Sequence, residues 1–256
     1  MKRFMQRGLM VTAALASLCG TAGAAPAAKD WYLALRLGYQ PYHIRMQGDV
    51  GDRSFDETAT LKDIMDNTDT TILGGELEFG KDKWFTSLTA FYQKSKAESG
   101  NDTRGADVTF TETAVNPVVG YRLYQTGLGG DKALSVSGTV GVYYVKVKAE
   151  VDINTPNLDI SENKDIDFLD PMFGARAYLA LTKKFGVSAA GQIGGFGVGS
   201  ELNYLASGNL VYNFTDWFAL SGGYRYWYWK YEDDDARLSR LEQTLHGPVV
   251  GLQLKY

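Results

Sequence analysis

Residues 247–256, Gly-Pro-Val-Val-Gly-Leu-Gln-Leu-Lys-Tyr, alternate strictly. Val250, Leu252, Leu254 and Tyr256 fall on one side of an extended chain, and Val249, Gly251, Gln253 and Lys255 on the other. The same phrase occurs at Asn116–Tyr124 and again at Asp170–Tyr178. Each copy opens with X-Pro, has Gly three residues past the Pro, and runs on to an aromatic. A period of two, held over about 9–11 residues, predicts a strand with a lipid face and a small, polar inner face.

The same period recurs along the chain. Strand one runs from Trp31 to about Met46, with Leu33, Leu35, Leu37 and Tyr39 alternating with Ala34, Arg36, Gly38 and Gln40. A long loop is expected over 47–69, with helical spacing at Leu61, Ile64 and Met65. Strand two spans Thr71–Gly80, and strand three Trp84 to about Lys96. Strand three alternates least well, because Phe85 and Phe91 fall on the inner side. Strand four covers about Val108–Tyr124, strand five begins near Leu134, and strand six carries the second repeat and ends at Lys183-Lys184. Strands seven (Phe185 to about Gly197), eight (Leu202–Asn213) and nine (Trp217–Tyr231) follow, and strand ten closes the chain. No apolar run past the N-terminal leader reaches the roughly 18 residues of a helical membrane span.

Strands with a lipid face must form a closed sheet, because only closure leaves no unpaired backbone edge in a bilayer. The expected fold is therefore all-β: a closed antiparallel transmembrane β-barrel of ten strands. Eight or twelve are the alternatives, since Arg53–Thr58 can add a strand and strand three can be miscounted. An even count places both termini in the periplasm. The links after odd strands are mostly long and the links after even strands short, which puts the long ones outside the cell. Acidic residues gather in the long segments 47–69, 97–107, 152–167 and 232–242, leaving the rest of the chain net basic. Pro117, Pro171 and Pro248 all fall on downward strands near the outer boundary, at a rim or bulge where a missing N–H costs least.

Residues 1–24 read as a secretory signal peptide. Lys2, Arg3 and Arg7 precede a short apolar core, and Ala22-Gly23-Ala24 supplies the cleavage site, leaving 25–256 as the barrel. Cys19, the only cysteine, leaves with the signal, so the mature barrel has no disulfide and no thiol nucleophile. The net charge of −4 becomes more negative without those three basic residues, which excludes nucleic acid as a partner.

Asp170-Pro171 with Gly174-Ala175-Arg176, the run Gly191–Ser200, Gly223-Tyr224-Arg225-Tyr226 and His246-Gly247-Pro248 carry a resemblance. The chain resembles the small Gram-negative outer-membrane β-barrels grouped with the opacity proteins and the outer membrane protein A barrel domain. It is closest to a largely uncharacterised family among them. The resemblance spans the mature chain and implies an outer-membrane location. It brings no catalytic residues and no cofactor. The partners it implies are outer-membrane lipid and lipopolysaccharide, the barrel-assembly machinery during biogenesis, and an extracellular ligand. Leu252, Leu254 and the terminal Tyr256 are the expected assembly signal.

Candidate chemistry is sparse. His43 and His246 fall near the outer ends of strands one and ten, which closure makes neighbours. Beside a serine such as Ser54 or Ser239, a rim histidine serves as the base of a lipid-modifying enzyme, but no motif brings a serine to either. The carboxylates of Glu232–Asp235 and of Asp159, Glu162, Asp165 and Asp167 match no metal-binding loop and read as a solvated face. The Gly195–Gly199 run opens no helix, so it is not a phosphate loop. Strand parity sends Arg36, Glu76, Glu78, Arg122, Arg176, Arg225 and Gln253 inward, with Gln192 beside them. In a narrow barrel these side chains are expected to pair, with Glu76 at the centre of a charge network that closes the lumen. The function expected is structural or surface-binding. A narrow, porin-like channel for small solutes or lipids and a rim lipid-modifying enzyme are the alternatives.

Overall fold

The computed structural model describes residues 31–40, 43–50, 53–59, 68–101, 104–155, 158–232 and 238–256. The strands are β1 (Trp31–Tyr39), β2 (His43–Val50), β3 (Arg53–Ala59), β4 (Thr68–Lys81), β5 (Trp84–Asn101), β6 (Arg104–Gly129), β7 (Lys132–Thr155), β8 (Leu158–Ala180), β9 (Phe185–Gly195), β10 (Leu202–Asn213), β11 (Phe218–Glu232) and β12 (Leu238–Lys255). Each strand from β4 to β12 pairs antiparallel with the next, and β1 closes the ring between β12 and β4. The wall is thus a closed barrel of ten strands. β2 continues β1 outward along β12, from His43↔His246 to Leu238↔Val50, and β3 folds back on β2 as a hairpin. The segment 47–69, expected as a loop, is therefore largely this hairpin and the start of β4. The helix expected at Leu61–Met65 lies outside the described residues.

The outer segments expected as loops are also strand. β5–β6 and β7–β8 remain paired out to Asn101↔Arg104 and Thr155↔Leu158. They escaped a pattern search because the pattern inverts along a single strand. On the lower part of β7, Val140 and Val142 are exposed while Ser137 and Thr139 are buried; further out, Lys148 is exposed and Tyr143, Val145 and Val147 are buried. β8 repeats this, with Phe173 out and Arg176 in below, then Asp165 and Asp167 out and Ile166 and Phe168 in above. The outside changes from lipid to water, and the inside changes from polar to apolar with it.

Above the membrane the barrel opens into two facing sheets. β9 and β10 stop at Gly195 and Leu202, so the outer part of β8 pairs only with β7 among the described residues. β4 leaves β1 at Gly75 and, among the described residues, continues on β5 alone. One sheet is then β4–β8 and the other β11–β12–β2–β3. Their shared core includes Phe91, Tyr143, Val145, Val147, Ile166 and Phe168 from the first sheet and Trp227, Trp229, Leu241 and Leu245 from the second. Trp227 lies against Tyr143 at 5.3 Å between ring centroids, and Trp229 against Phe168 at 5.3 Å.

Around the lower barrel, Leu33, Leu35, Leu77, Phe79, Leu88, Val119, Val140, Phe173, Ile193, Leu210 and Val250 point out and are exposed. An apolar belt on a closed sheet is a surface for lipid. Aromatic pairs edge it below, Trp31 with Tyr256 (5.7 Å), Trp84 with Tyr121 (4.7 Å) and Phe185 with Tyr212 (4.8 Å). The three prolines sit where a ladder breaks. The β6–β7 register passes from Val115↔Tyr144 to Val118↔Gly141 over Pro117, β8 leaves β9 just above Met172 at Pro171, and Pro248 faces the step from β1 to β2. A residue without an N–H suits each of these places.

Candidate functional site

The lumen at mid-barrel holds two arginines and two glutamates, each 7% exposed or less. Arg36 projects from β1 opposite Glu76 of β4, its register partner. Its NH1 donates to Glu76 Oε1 and to Glu78 Oε2, both at 3.0 Å, and its NH2 donates to Glu78 Oε1 at 3.0 Å. Arg176, from β8 on the far wall, donates through NH1 to Glu78 Oε2 at 2.8 Å and to Glu76 Oε1 at 3.3 Å. Its NH2 donates to Ser87 Oγ at 3.2 Å, and Tyr32 OH donates to Glu78 Oε1 at 2.8 Å. The charges cancel, and the planar arginine forks supply donors to carboxylates that are almost wholly buried.

The surroundings are built for this quartet. The Arg176 guanidinium lies over the Phe85 ring, 5.1 Å from its centroid, a favourable cation–π position. Phe85 in turn occupies the place where a Cβ on Gly120 would sit, and Tyr32 crosses Gly80 in the same way. The Gly of the first repeat therefore clears the floor for an inward aromatic. Phe91, the other residue that blurred strand three, packs edge-on against Trp227 at 6.3 Å.

Further polar layers stack above. Asn116 Nδ2 donates to Gln192 Oε1 at 2.7 Å, beside a cavity of about 30 Å³ bordered by Glu76, Thr89, Arg176 and Ser207. Arg225 NH1 donates to Gln40 Oε1 at 3.2 Å. Asp170 accepts from Ser200 N (2.7 Å), Ser200 Oγ (2.7 Å) and Asn203 Nδ2 (2.8 Å), and Trp227 Nε1 donates to Asn203 Oδ1 at 3.0 Å. This ties the short β9–β10 turn, with Phe196 and Gly197 at positive φ, to the wall of β8. In the head, Gln243 Nε2 donates to both Glu112 oxygens, at 3.0 and 3.2 Å. Asn203 and Gln243 were not singled out in the sequence; their inward parity was the signal, but nothing in it named their partners. Ser200 lies in the β9–β10 turn, where strand parity gives no direction.

Of the residues expected in the network, Arg36, Glu76, Glu78 and Arg176 meet. Gln253 is buried beside them as the register partner of Arg36. Arg225 lies higher, on Gln40. Arg122 does not join: it sits half-buried toward the tight β6–β7 turn, beside the register shift at Tyr124, and donates to Gln125 Oε1 at 3.0 Å. Hydrogen-bond register runs Arg122↔Ser137↔Arg176↔Ala190↔Ser207↔Arg225. In a barrel of tilted strands such a line climbs around the wall, so equal register is not equal depth.

His43 and His246 are neighbours on the outward surface, with ring centroids 5.4 Å apart. Tyr224 OH lies 2.6 Å from His246 Nδ1. Ser239 Oγ instead reaches the Asp49 carbonyl oxygen, at 3.5 Å. Among the described residues no three or more His, Cys, Asp and Glu gather as a metal site, and Asp233–Asp235 lie outside those residues.

No family model and no curated protein matches the sequence. Solved structures similar to it include Ail, the attachment invasion locus protein of Yersinia pestis, in complex with the heparin analogue sucrose octasulfate. That likeness has 11% identity and TM-score 0.38 over 89% of this chain and 100% of that one. The translocator domain of the autotransporter NalP from Neisseria meningitidis is similar at 12% identity and TM-score 0.41, over 88% and 87%. Neisserial surface protein A is similar at 12% and 0.31, over 89% and 98%. These are distant likenesses to membrane barrels, and their roles do not carry over. By its closed wall, lipid belt and aromatic girdle, the chain is a ten-stranded β-barrel of the outer-membrane type.

Proposed function

We propose that the protein is a non-enzymatic barrel of the Gram-negative outer membrane, with a sealed lumen and a surface-exposed head that serves as a structural or binding module. The observation that carries this reading is the Arg36–Glu76–Glu78–Arg176 quartet. It spans a lumen that is packed with apolar side chains above it and with Tyr178, Val211 and Ala219 toward the periplasm. Ions crossing this barrel would have to displace four mutually paired charges and then an apolar core. In this reading residues 1–24 are removed on export. The belt contacts lipid and lipopolysaccharide, and the acidic outer strands meet the extracellular ligand. Reconstitution in planar bilayers tests it. Wild type should show no steady conductance, and Glu76→Ala should raise it. Large, steady wild-type conductance unchanged by Glu76→Ala would replace this reading with a channel.

A further inference from the structure

The two histidines are the only ones in the chain, and the fold sets them face to face. β2 and β12 pair His43 directly with His246, with ring planes 32° apart. Two outer partners hold the His246 ring. Tyr226 stacks on it at 5.9 Å and 11°, and Tyr224 OH engages Nδ1 at 2.6 Å. With its proton on Nδ1 the imidazole donates to the Tyr224 oxygen, and the Nε2 lone pair is free. An imidazole whose second nitrogen is held by an outer hydrogen bond is in the state that metal-binding histidines adopt.

We propose that His43 and His246 form a surface site for a divalent first-row transition ion, with water completing the coordination. Two nitrogens bound at about 2.0–2.1 Å to one ion lie roughly 3 Å apart. In this site the ring of His43, now 5.4 Å from that of His246 between centroids, turns toward it while Tyr224 and Tyr226 keep the His246 ring in place. Neutral imidazole suits copper, nickel and zinc, and Cu²⁺ is held most tightly of these. The nearby guanidinium of Arg45 does not oppose a cation unscreened, because it is forked onto Asp56 at 2.9 and 2.6 Å. The site lies on the outer rim and faces the surroundings of the cell, independent of the sealed lumen.

The test is titration of the folded, detergent-purified barrel with CuCl₂, followed by electron paramagnetic resonance and calorimetry. Wild type should take up one Cu²⁺ with nitrogen hyperfine structure from two imidazoles, and ZnCl₂ should compete for it. His43→Ala, on the exposed side, and His246→Gln should each weaken binding at least ~10-fold, and Tyr224→Phe should weaken it about 10-fold through loss of the outer hydrogen bond. Heat-modifiable migration on gels reports folding, and His43→Ala alone decides the matter if the β12 variant fails to fold. Copper without nitrogen coupling in wild type, or equal uptake by folded His43→Ala, would overturn the proposal and leave the pair as interfacial packing.

Discussion

Arg176 reaches Glu78 across the full width of the lumen, NH1 to Oε2 in 2.8 Å, although β5, β6 and β7 stand between their strands in the sheet. The pair joins opposite walls, and Arg36 joins the same carboxylates from the adjacent strand. Glu76 and Glu78 are thus bridged by both arginines, so each charge depends on the other three.

Breaking that mutual dependence should be expensive. Glu76→Ala leaves Arg36 and Arg176 buried with half their partners, and the loss expected is ~3–5 kcal/mol. Urea unfolding in detergent, followed by tryptophan fluorescence, measures it. Loss of less than about 1 kcal/mol would indicate that water already enters the quartet.

The head should be separable from the barrel. Trp229 is fully buried between the two outer sheets, against Phe168. Trp229→Ala is expected to remove ~3–5 kcal/mol of local packing, and protease added to intact cells should then cut the outer hairpins. The membrane-embedded part should survive as a protected fragment.

Orientation follows from the direction of β7 and the turn after β8. A cysteine at Lys148 should react with a membrane-impermeant maleimide on intact cells, and one at Lys183 should not. The reverse labelling would invert the barrel.

At the β2–β3 hairpin the hydrogen bond and charge of Arg45, with a further bond from Gln47, hold the Asp56 carboxyl below the ordinary carboxylate range. A depressed folded value means that the pair's contribution is complete above the unfolded value of about 3.9 and is lost as pH falls through the lower folded one. An NMR titration should place the Asp56 midpoint below that of Arg45→Ala. Identical midpoints would show that the ion pair is absent in solution.

Tyr256 sits in the girdle against Trp31 and pairs with Leu33 through both backbone groups, at 2.8 and 3.1 Å. We expect Leu252, Leu254 and Tyr256 to act also in insertion. Deleting Tyr256 should lower the heat-modifiable barrel in the outer membrane and raise its periplasmic degradation. Undiminished amounts would confine Tyr256 to the girdle.

Period-two alternation was sufficient to assign the strands within lipid, the inward parity of Arg36, Glu76, Glu78 and Arg176, and the meeting of His43 with His246. Each of these follows from side-chain direction along a strand, or from the single fact that first and last strands join. What parity cannot supply is depth, because tilt carries a line of equal register up the wall; hence Arg122 was grouped with residues it never meets. The outer head was hidden for a different reason. Where the surroundings turn from lipid to water, the polar face moves outside and the apolar face inside, and charged strand reads as loop. Only the tertiary structure decided that Trp227 and Trp229 face Tyr143 and Phe168 across two sheets. It also decided that Tyr224 holds the His246 ring, since these contacts depend on how the strands shear and splay as the barrel closes.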